Sequence, residues 1–224
     1  MTMPSADFSP ILAASIHDMK NSLGVLLSSL EDLRDEQQAC GSSSANLDIL
    51  QYQAERIHND LVRLLGSYRL QQNMLSAHTE EHFVRDLLDD AIARYASVIN
   101  GQDINCQNNA QDISGYFDHQ LIASVLDNSV SNAVRYAKHQ MCLNAAYCEG
   151  YLVISVHDDG PGFTESMLRQ ETSHSIDFGG GNTHLGLYFA NAIAALHNAG
   201  ERKGSIKLLN GGQFGGGVFE IWLP

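Results

Sequence analysis

Asp158-Asp159-Gly160-Pro161-Gly162-Phe163 ends a run rich in β-branched residues, Tyr151 to His157. Such a run reads as a strand, and the Gly/Pro cluster beyond it reads as a loop. A carboxylate at a strand end can accept a hydrogen bond from an exocyclic amine. The glycines that follow permit positive φ and close approach of the backbone to a ligand. Taken alone, Asp-x-Gly-x-Gly is as easily an ordinary turn, so its meaning depends on the residues around it.

Upstream stands Asp127-Asn128-Ser129-Val130-Ser131-Asn132-Ala133-Val134-Arg135-Tyr136, inside a helix expected from His119 to about Lys138. Asn128 and Asn132 are one turn apart and share a face, while Leu121, Ile122, Val125 and Leu126 supply an apolar one. Two amides in register read as a polar site or as two surface side chains. Downstream, Gly179-Gly180-Gly181 and Gly186 bracket the start of a helix expected over 183–197. Amides at a helix N-terminus suit phosphate, although a triple glycine is also an ordinary linker. No GxxxxGK[ST] loop is present, which excludes a P-loop.

The remaining elements complete an α+β pattern over residues 78–224. Periodicity predicts a helix from Phe83 to Ile99, strands near Ile104 and Tyr116, strands over 140–147 and 151–157, and terminal strands over 205–209 and 217–223. Helices interspersed with mostly adjacent strands predict a sandwich with helices on one face of a mixed sheet.

Residues 1–77 read differently. Leu12, Ile16, Met19, Leu23, Leu26, Leu30 and Leu33 recur at alternating steps of four and three, as do Leu47, Leu50, Ala54, Ile57, Leu61, Leu64 and Tyr68. Cys40 to Ser44 separates them as a turn, so an antiparallel helical hairpin is expected. Two helices alone bury little core, and a homodimeric four-helix bundle would close both seams. Packing against the rest of the same chain is the alternative. His17 flanks the first seam, with Asp18 adjacent and Asn21 one turn on. An exposed imidazole beside a carboxylate is a plausible nucleophile, but most helical histidines are passive.

The 224 residues carry a formal net charge of −13, which argues against a nucleic-acid surface. Cys40, Cys106, Cys142 and Cys148 show no CxxC spacing, and reduced thiols are expected. His78 and His82 could share a helix face, too few ligands for a metal site. No apolar run has membrane-spanning length and no signal pattern is read, so the expectation is a cytoplasmic protein with no membrane partner.

The order of these motifs resembles the sensor histidine kinases. His17 to Leu23 looks like their H box, Asn128 to Tyr136 like the N box, and Asp158 to Phe163 like the first glycine box. Leu185-Gly186-Leu187 looks like the end of the second glycine box, and Gly215 to Phe219 like the family's last strand. The resemblance implies a phosphotransfer hairpin, dimerising into a four-helix bundle, over 1–77. It implies an ATP-binding α+β sandwich of the Bergerat fold over 78–224. Asn132 would hold Mg²⁺ against the ATP phosphates, with Asn128 supporting the same face, Arg135 near phosphate and Tyr136 near the nucleoside. Asp158 would bind the adenine amino group in a pocket shaped by Gly160 and Gly162, and Gly186 would lie by the phosphates under a lid of about 164–184. His17 would be the phospho-acceptor and Asp18 its general base. Asn21 would place water for dephosphorylating a response regulator. The related ATPases carry a water-activating Glu where Asn128 stands, which points to transfer over hydrolysis.

Ser22 replaces the usual Pro of the H box, and Asn182 and His184 replace paired glycines of the second glycine box. No sensor or receiver motif is read, so input is expected from a separate sensor protein or a missing sensor region. The implied activity is autophosphorylation on His17 and transfer to a response-regulator aspartate. Two other readings use the same residues. One is a histidine phosphotransfer protein with a degenerate kinase-like domain that does not bind ATP. The other is a non-enzymatic regulator acting through the hairpin.

Overall fold

In the computed structural model the described residues are 75–169 and 185–224, together with helical positions scattered between Met19 and Gly66. The chain divides into two compact units, Met1–Leu75 and Ser76–Pro224. His17 and Asp18, the glycines 179–181, and Asn182 and His184 lie outside the described residues.

In the first unit, Met19, Asn21, Leu23 to Leu27, Ser29, Leu30 and Leu33 are helical, as are Leu50, Ala54, Ile57, Leu61 and Gly66. Met19, Leu26 and Leu33, spaced by seven, are 57%, 48% and 49% exposed, and Leu50 and Ile57 are 57% and 53% exposed. Ala54, between that last pair, is buried. Asn21 is helical and exposed.

The second unit is built on a five-stranded mixed sheet of order β2-β4-β5-β9-β8. Its strands are β2 (Asn105–Asn108), β4 (Gln140–Cys148), β5 (Tyr151–Asp158), β8 (Ser205–Asn210) and β9 (Gly217–Leu223). Only β2 and β4 run parallel among these pairs. Register sets the buried face: Leu143 lies opposite Val156, which lies opposite Phe219, which lies opposite Leu208. Ala145, Ile154, Ile221 and Ile206 form the next such row, and all eight are buried. The alternate rows carry Asn144, Ser155, Glu220 and Lys207, as period-two alternation requires of a sheet covered on one side.

The covering layer consists of α1 (Val84–Arg94), α3 (His119–Tyr136) and α5 (Leu185–Leu196), with the short α2 (Ala96–Gly101) and α4 (Glu165–Arg169). Val84, Leu87, Leu88 and Ala91 of α1 are buried, as are Ile122, Val125, Leu126 and Val130 of α3 and Phe189, Ala190 and Ile193 of α5. Each fully buried Leu, Ile, Val or Phe contributes on the order of 1.5–3 kcal/mol.

Three details depart from the sequence reading. The helix expected over 83–99 is two helices, because the chain leaves helical geometry at Tyr95 (φ −105°, ψ 7°). His82 is in a strand, not a helix, and shares no helix face with His78. That strand is β1 (Glu80–Phe83), which pairs with β3 (Ser114–Phe117) in a small ribbon. A second ribbon joins β6 (Asn198–Ala199) to β7 (Arg202–Lys203).

Helix α3 positions the site, and both its ends are fixed by carboxylates. Asp118 is its N-cap: Oδ1 accepts from the Leu121 amide at 3.0 Å and Oδ2 from the His78 amide at 2.9 Å. Burial opposes ionisation of Asp118, but these amides outweigh it and its pKa is lowered. The Asp118 amide donates to Nε2 of the buried His197 at 3.0 Å, and the other ring nitrogen, Nδ1, lies 3.0 Å from the Ile193 carbonyl. An acceptor Nε2 makes Nδ1 the donor, so the ring is neutral.

Candidate functional site

The C-terminal end of α3 meets the end of β5. Asp159 accepts from the Lys138 amide at 2.7 Å and from the His139 amide at 3.0 Å, and its own amide donates to the Gln140 carbonyl at 3.1 Å. Burial opposes its ionisation, but these amides prevail and its pKa is lowered. Asp159 thereby fixes Asp158 beside Tyr136.

Asp158 is held by one oxygen. Oδ1 accepts from the Gly160 amide at 2.7 Å and the Gly217 amide at 3.2 Å. Oδ2 has no donor among the described residues. A Cβ on Gly217 would stand 3.0 Å from that Oδ2 and 3.2 Å from the Phe163 ring. A Cβ on Gly160 would stand 2.5 Å from the Tyr136 carbonyl oxygen. Oδ2 thus borders the volume that Gly217, lacking a side chain, leaves beside the Phe163 ring.

The asparagines of α3 divide. Asn128 is buried at 5% exposure and has no hydrogen-bond partner among the described residues, whereas Asn132 is exposed. Gly186, at the start of α5, lies against Asn128: a Cβ there would come 2.7 Å from its amide nitrogen. A buried unpaired amide costs on the order of 1–3 kcal/mol, a cost expected where a ligand supplies the partner. Arg135 is exposed, with its guanidinium carbon 5.3 Å from the centre of the Tyr136 ring, and that ring is 40% exposed.

The structure therefore brings Asp158, Gly160 and Tyr136 together, and separately Asn128 and Gly186, with Asn132 and Arg135 on the intervening helix. Gly162 takes φ 76°, in the left-handed region that glycine permits. The carboxylate next to Asn128 is not free for other work, since Asp127 pairs with Arg94 at 2.9 Å. Sequence reasoning did not find Asp159, Phe163 or Gly217 as parts of the site. The doubled Asp before glycine was the available signal for Asp159.

The donor set fits an adenine nucleotide. A carboxylate oxygen beside the volume that Gly217 leaves suits an exocyclic amine, and a buried amide against a helix N-terminus suits a phosphate–cation pair. Mg²⁺ suits oxygen donors such as an Asn carbonyl completed by phosphates. Among the described residues no cluster of three or more His, Cys, Asp or Glu forms a separate metal site. No helix among them is long and apolar enough to cross a membrane.

Comparison with known proteins agrees. Residues 117–224 match the family described as histidine kinase-, DNA gyrase B-, and HSP90-like ATPase. The chain is 26% identical over 151 residues to the virulence sensor histidine kinase PhoQ of Salmonella typhimurium, covering 67% of this chain and 30% of that protein. It is 25% identical over 205 residues to the sensor protein kinase PilS of Pseudomonas aeruginosa, covering 88% of this chain and 38% of that one. The chain thus spans well under half the length of these relatives. In fold it resembles the Acinetobacter baumannii histidine kinase AdeS, with a TM-score of 0.62, 16% identity, and 92% and 96% of the two chains covered. It also resembles full-length ShkA in complex with AMPPNP, with a TM-score of 0.67, 19% identity, and 96% and 45% covered. The sandwich is of the Bergerat type, residues 117–224 match the ATPase family that histidine kinases share with DNA gyrase B and HSP90, and the chain is similar to sensor histidine kinases.

Proposed function

We propose that this protein is a two-component histidine kinase that binds Mg-ATP in the second unit and autophosphorylates on His17. It then passes the phosphoryl group to a response-regulator aspartate. The observation that carries the reading is the Asp158 carboxylate, tied through Oδ1 to two glycine amides, with Oδ2 unpartnered among the described residues and bordering the volume that Gly217 leaves beside Phe163. Mg-ATP bound there supplies a transferable γ-phosphoryl group.

The chain's own residues would divide the work. Asp158 binds the adenine amino group, and Gly160, Gly162 and Tyr136 border the nucleoside. Asn132 donates its carbonyl to Mg²⁺, Asn128 supports it from the buried side, and Arg135 and Gly186 approach the phosphates. The position one turn before Asn132 holds an amide that cannot take a proton from water. Its neighbour Asp127 is engaged by Arg94. Both facts favour transfer to an imidazole over hydrolysis. Asp18 takes the His17 proton, and Asn21, exposed on its helix, positions water to hydrolyse the phosphoryl group from the response-regulator aspartate.

A homodimer supports the same reading. Met19, Leu26, Leu33, Leu50 and Ile57 repeat at heptad spacing yet stand about half exposed in one copy, and a second copy closing a four-helix bundle would cover them. The domain roles follow: 1–77 for dimerisation and phosphotransfer, 78–224 for nucleotide. The partners are a cytoplasmic response regulator and a sensor region or separate sensor protein.

Incubation of the full chain with γ-labelled ATP tests the proposal. Acid-labile label on the protein, absent in His17→Ala, is the expected result. A folded dimer that binds ATP and takes no label would overturn it. A protein that binds no ATP but accepts phosphate on His17 would instead be a relay.

A further inference from the structure

Asn210 ends β8 and is followed by Gly211-Gly212, a sequence that reads as a hairpin turn. Its side chain does not cap that turn. Instead it reaches back 47 residues: Oδ1 accepts from the Phe163 amide at 2.7 Å, and Nδ2 donates to the Phe163 carbonyl at 2.8 Å. Both backbone groups of one loop residue are held by one amide, much as a neighbouring strand would hold them.

Two glycines make room for this contact. A Cβ on Gly162 would stand 2.6 Å from Asn210 Oδ1, and Gly162 already needs its positive φ. Gly217, which pairs with Asn210 across the β8–β9 ladder, leaves open the volume that the Phe163 ring and Asp158 Oδ2 both border. The half-buried Phe163 ring thus flanks the free carboxylate oxygen, and Asn210 holds the backbone that carries it.

We propose that Asn210 is a positioning residue for the base side of the nucleotide site. It holds the Phe163 ring beside Asp158 so that an adenine ring meets the carboxylate on one edge and the aromatic wall on its flank. The inference rests on the nucleotide reading above. Asn210 itself is exposed, and its side-chain bonds go to the Phe163 backbone. Its effect on binding passes through Phe163, and its removal leaves the buried rows of the sheet intact.

The test uses the full chain and the variants Asn210→Ala and Asn210→Gln, with amide hydrogen exchange in the absence of nucleotide and titration with ADP. In Asn210→Ala, exchange at the Phe163 amide is expected to accelerate at least about tenfold, while the β5–β9 ladder keeps its protection and the midpoint of thermal unfolding barely moves. The ADP dissociation constant is expected to rise about tenfold. Asn210→Gln, which keeps the amide, is expected to fall between wild type and Asn210→Ala in both readouts. Unchanged exchange at Phe163 overturns the proposal, and so does faster exchange with unchanged ADP affinity. Wild-type protein that binds no ADP overturns both this inference and the nucleotide reading. Wild-type binding with equal binding by Asn210→Ala overturns this inference alone.

Discussion

At the N-terminal end of α3 the two groups that anchor the helix are fully partnered. Asp118 uses both carboxylate oxygens, and His197 uses both ring nitrogens, one on the Asp118 amide and one on the Ile193 carbonyl. In the C-terminal half, Asn128 is buried without a partner among the described residues, Asn132 and Arg135 are exposed, and Tyr136 is 40% exposed. One end is spent on holding the helix, and the other keeps polar groups unpaired. Local rules of satisfaction hold where a helix only needs to be anchored. They fail where a ligand is meant to complete them.

The sharpest way to break this contrast is to cut the anchored end. His197→Ala leaves the Asp118 amide and the Ile193 carbonyl without partners and opens a cavity. It is expected to cost the second unit about 3 kcal/mol. Urea unfolding measures this. The ADP dissociation constant of the folded variant should stay within about threefold of wild type, and a larger change would mean that the two ends are not separate.

Asp158→Asn makes the converse cut. The amide's oxygen can still accept from the Gly160 and Gly217 amides, so the unfolding midpoint should hold. The position of Oδ2 then becomes an NH₂ donor, which cannot accept from an exocyclic amine. Losing a charge-assisted bond of about 2–3 kcal/mol should raise the ADP dissociation constant roughly 30- to 100-fold. Calorimetric titration reads this directly.

The pH dependence sharpens the comparison further. Burial lowers the His197 pKa, only partly opposed by the Ile193 carbonyl and Asp118. A histidine held neutral in the folded state binds its proton in the unfolded chain first. Its stabilisation is complete above the ordinary imidazole value of about 6.5 and falls as pH drops below it, by up to about 1.4 kcal/mol per unit. Thermal unfolding at pH 7.5, 6.5 and 5.5 should show that decline, and His197→Gln should flatten it. His157, lowered by burial against the pull of Glu220 and Asp158, acts in the same direction and leaves a residual slope. The lowered carboxylates Asp118 and Asp159 lose their contribution only as pH falls below about 4, outside this window.

What was legible in the sequence follows the same division. Helix α3 and strands β4, β5 and β9 announce themselves by periodicity, because each buries one regular face. Strand β1, Glu80-Glu81-His82-Phe83, does not: its first three residues are polar, and it is a strand only because β3 pairs with it. Asn128, Asn132 and Asp158 were visible because their spacing is local. Asn210 was not, since its partner stands 47 residues away and no local pattern records such a contact; for Asp159 the doubled Asp marks the residue but not the amides about 20 residues away that it binds.

At Asn128 two opposed changes set the effect on stability. If its amide is buried and unpaired while the site awaits phosphate and cation, truncating it removes an unsatisfied group together with a little packing volume. The two changes oppose each other. The lost packing costs about 1–2 kcal/mol, and relief of a buried unpaired amide returns about 1–3 kcal/mol. Asn128→Ala should therefore lie between about 1 kcal/mol less stable and about 2 kcal/mol more stable than wild type. The same variant should lose most label transfer from γ-labelled ATP, because the face that supports Asn132 is gone. A large loss of stability would show that Asn128 is an anchored residue like His197. Stability retained with labelling lost would place the boundary between the anchored and the open half of α3 between Ser124, whose hydroxyl donates to the Leu121 carbonyl, and Asn128.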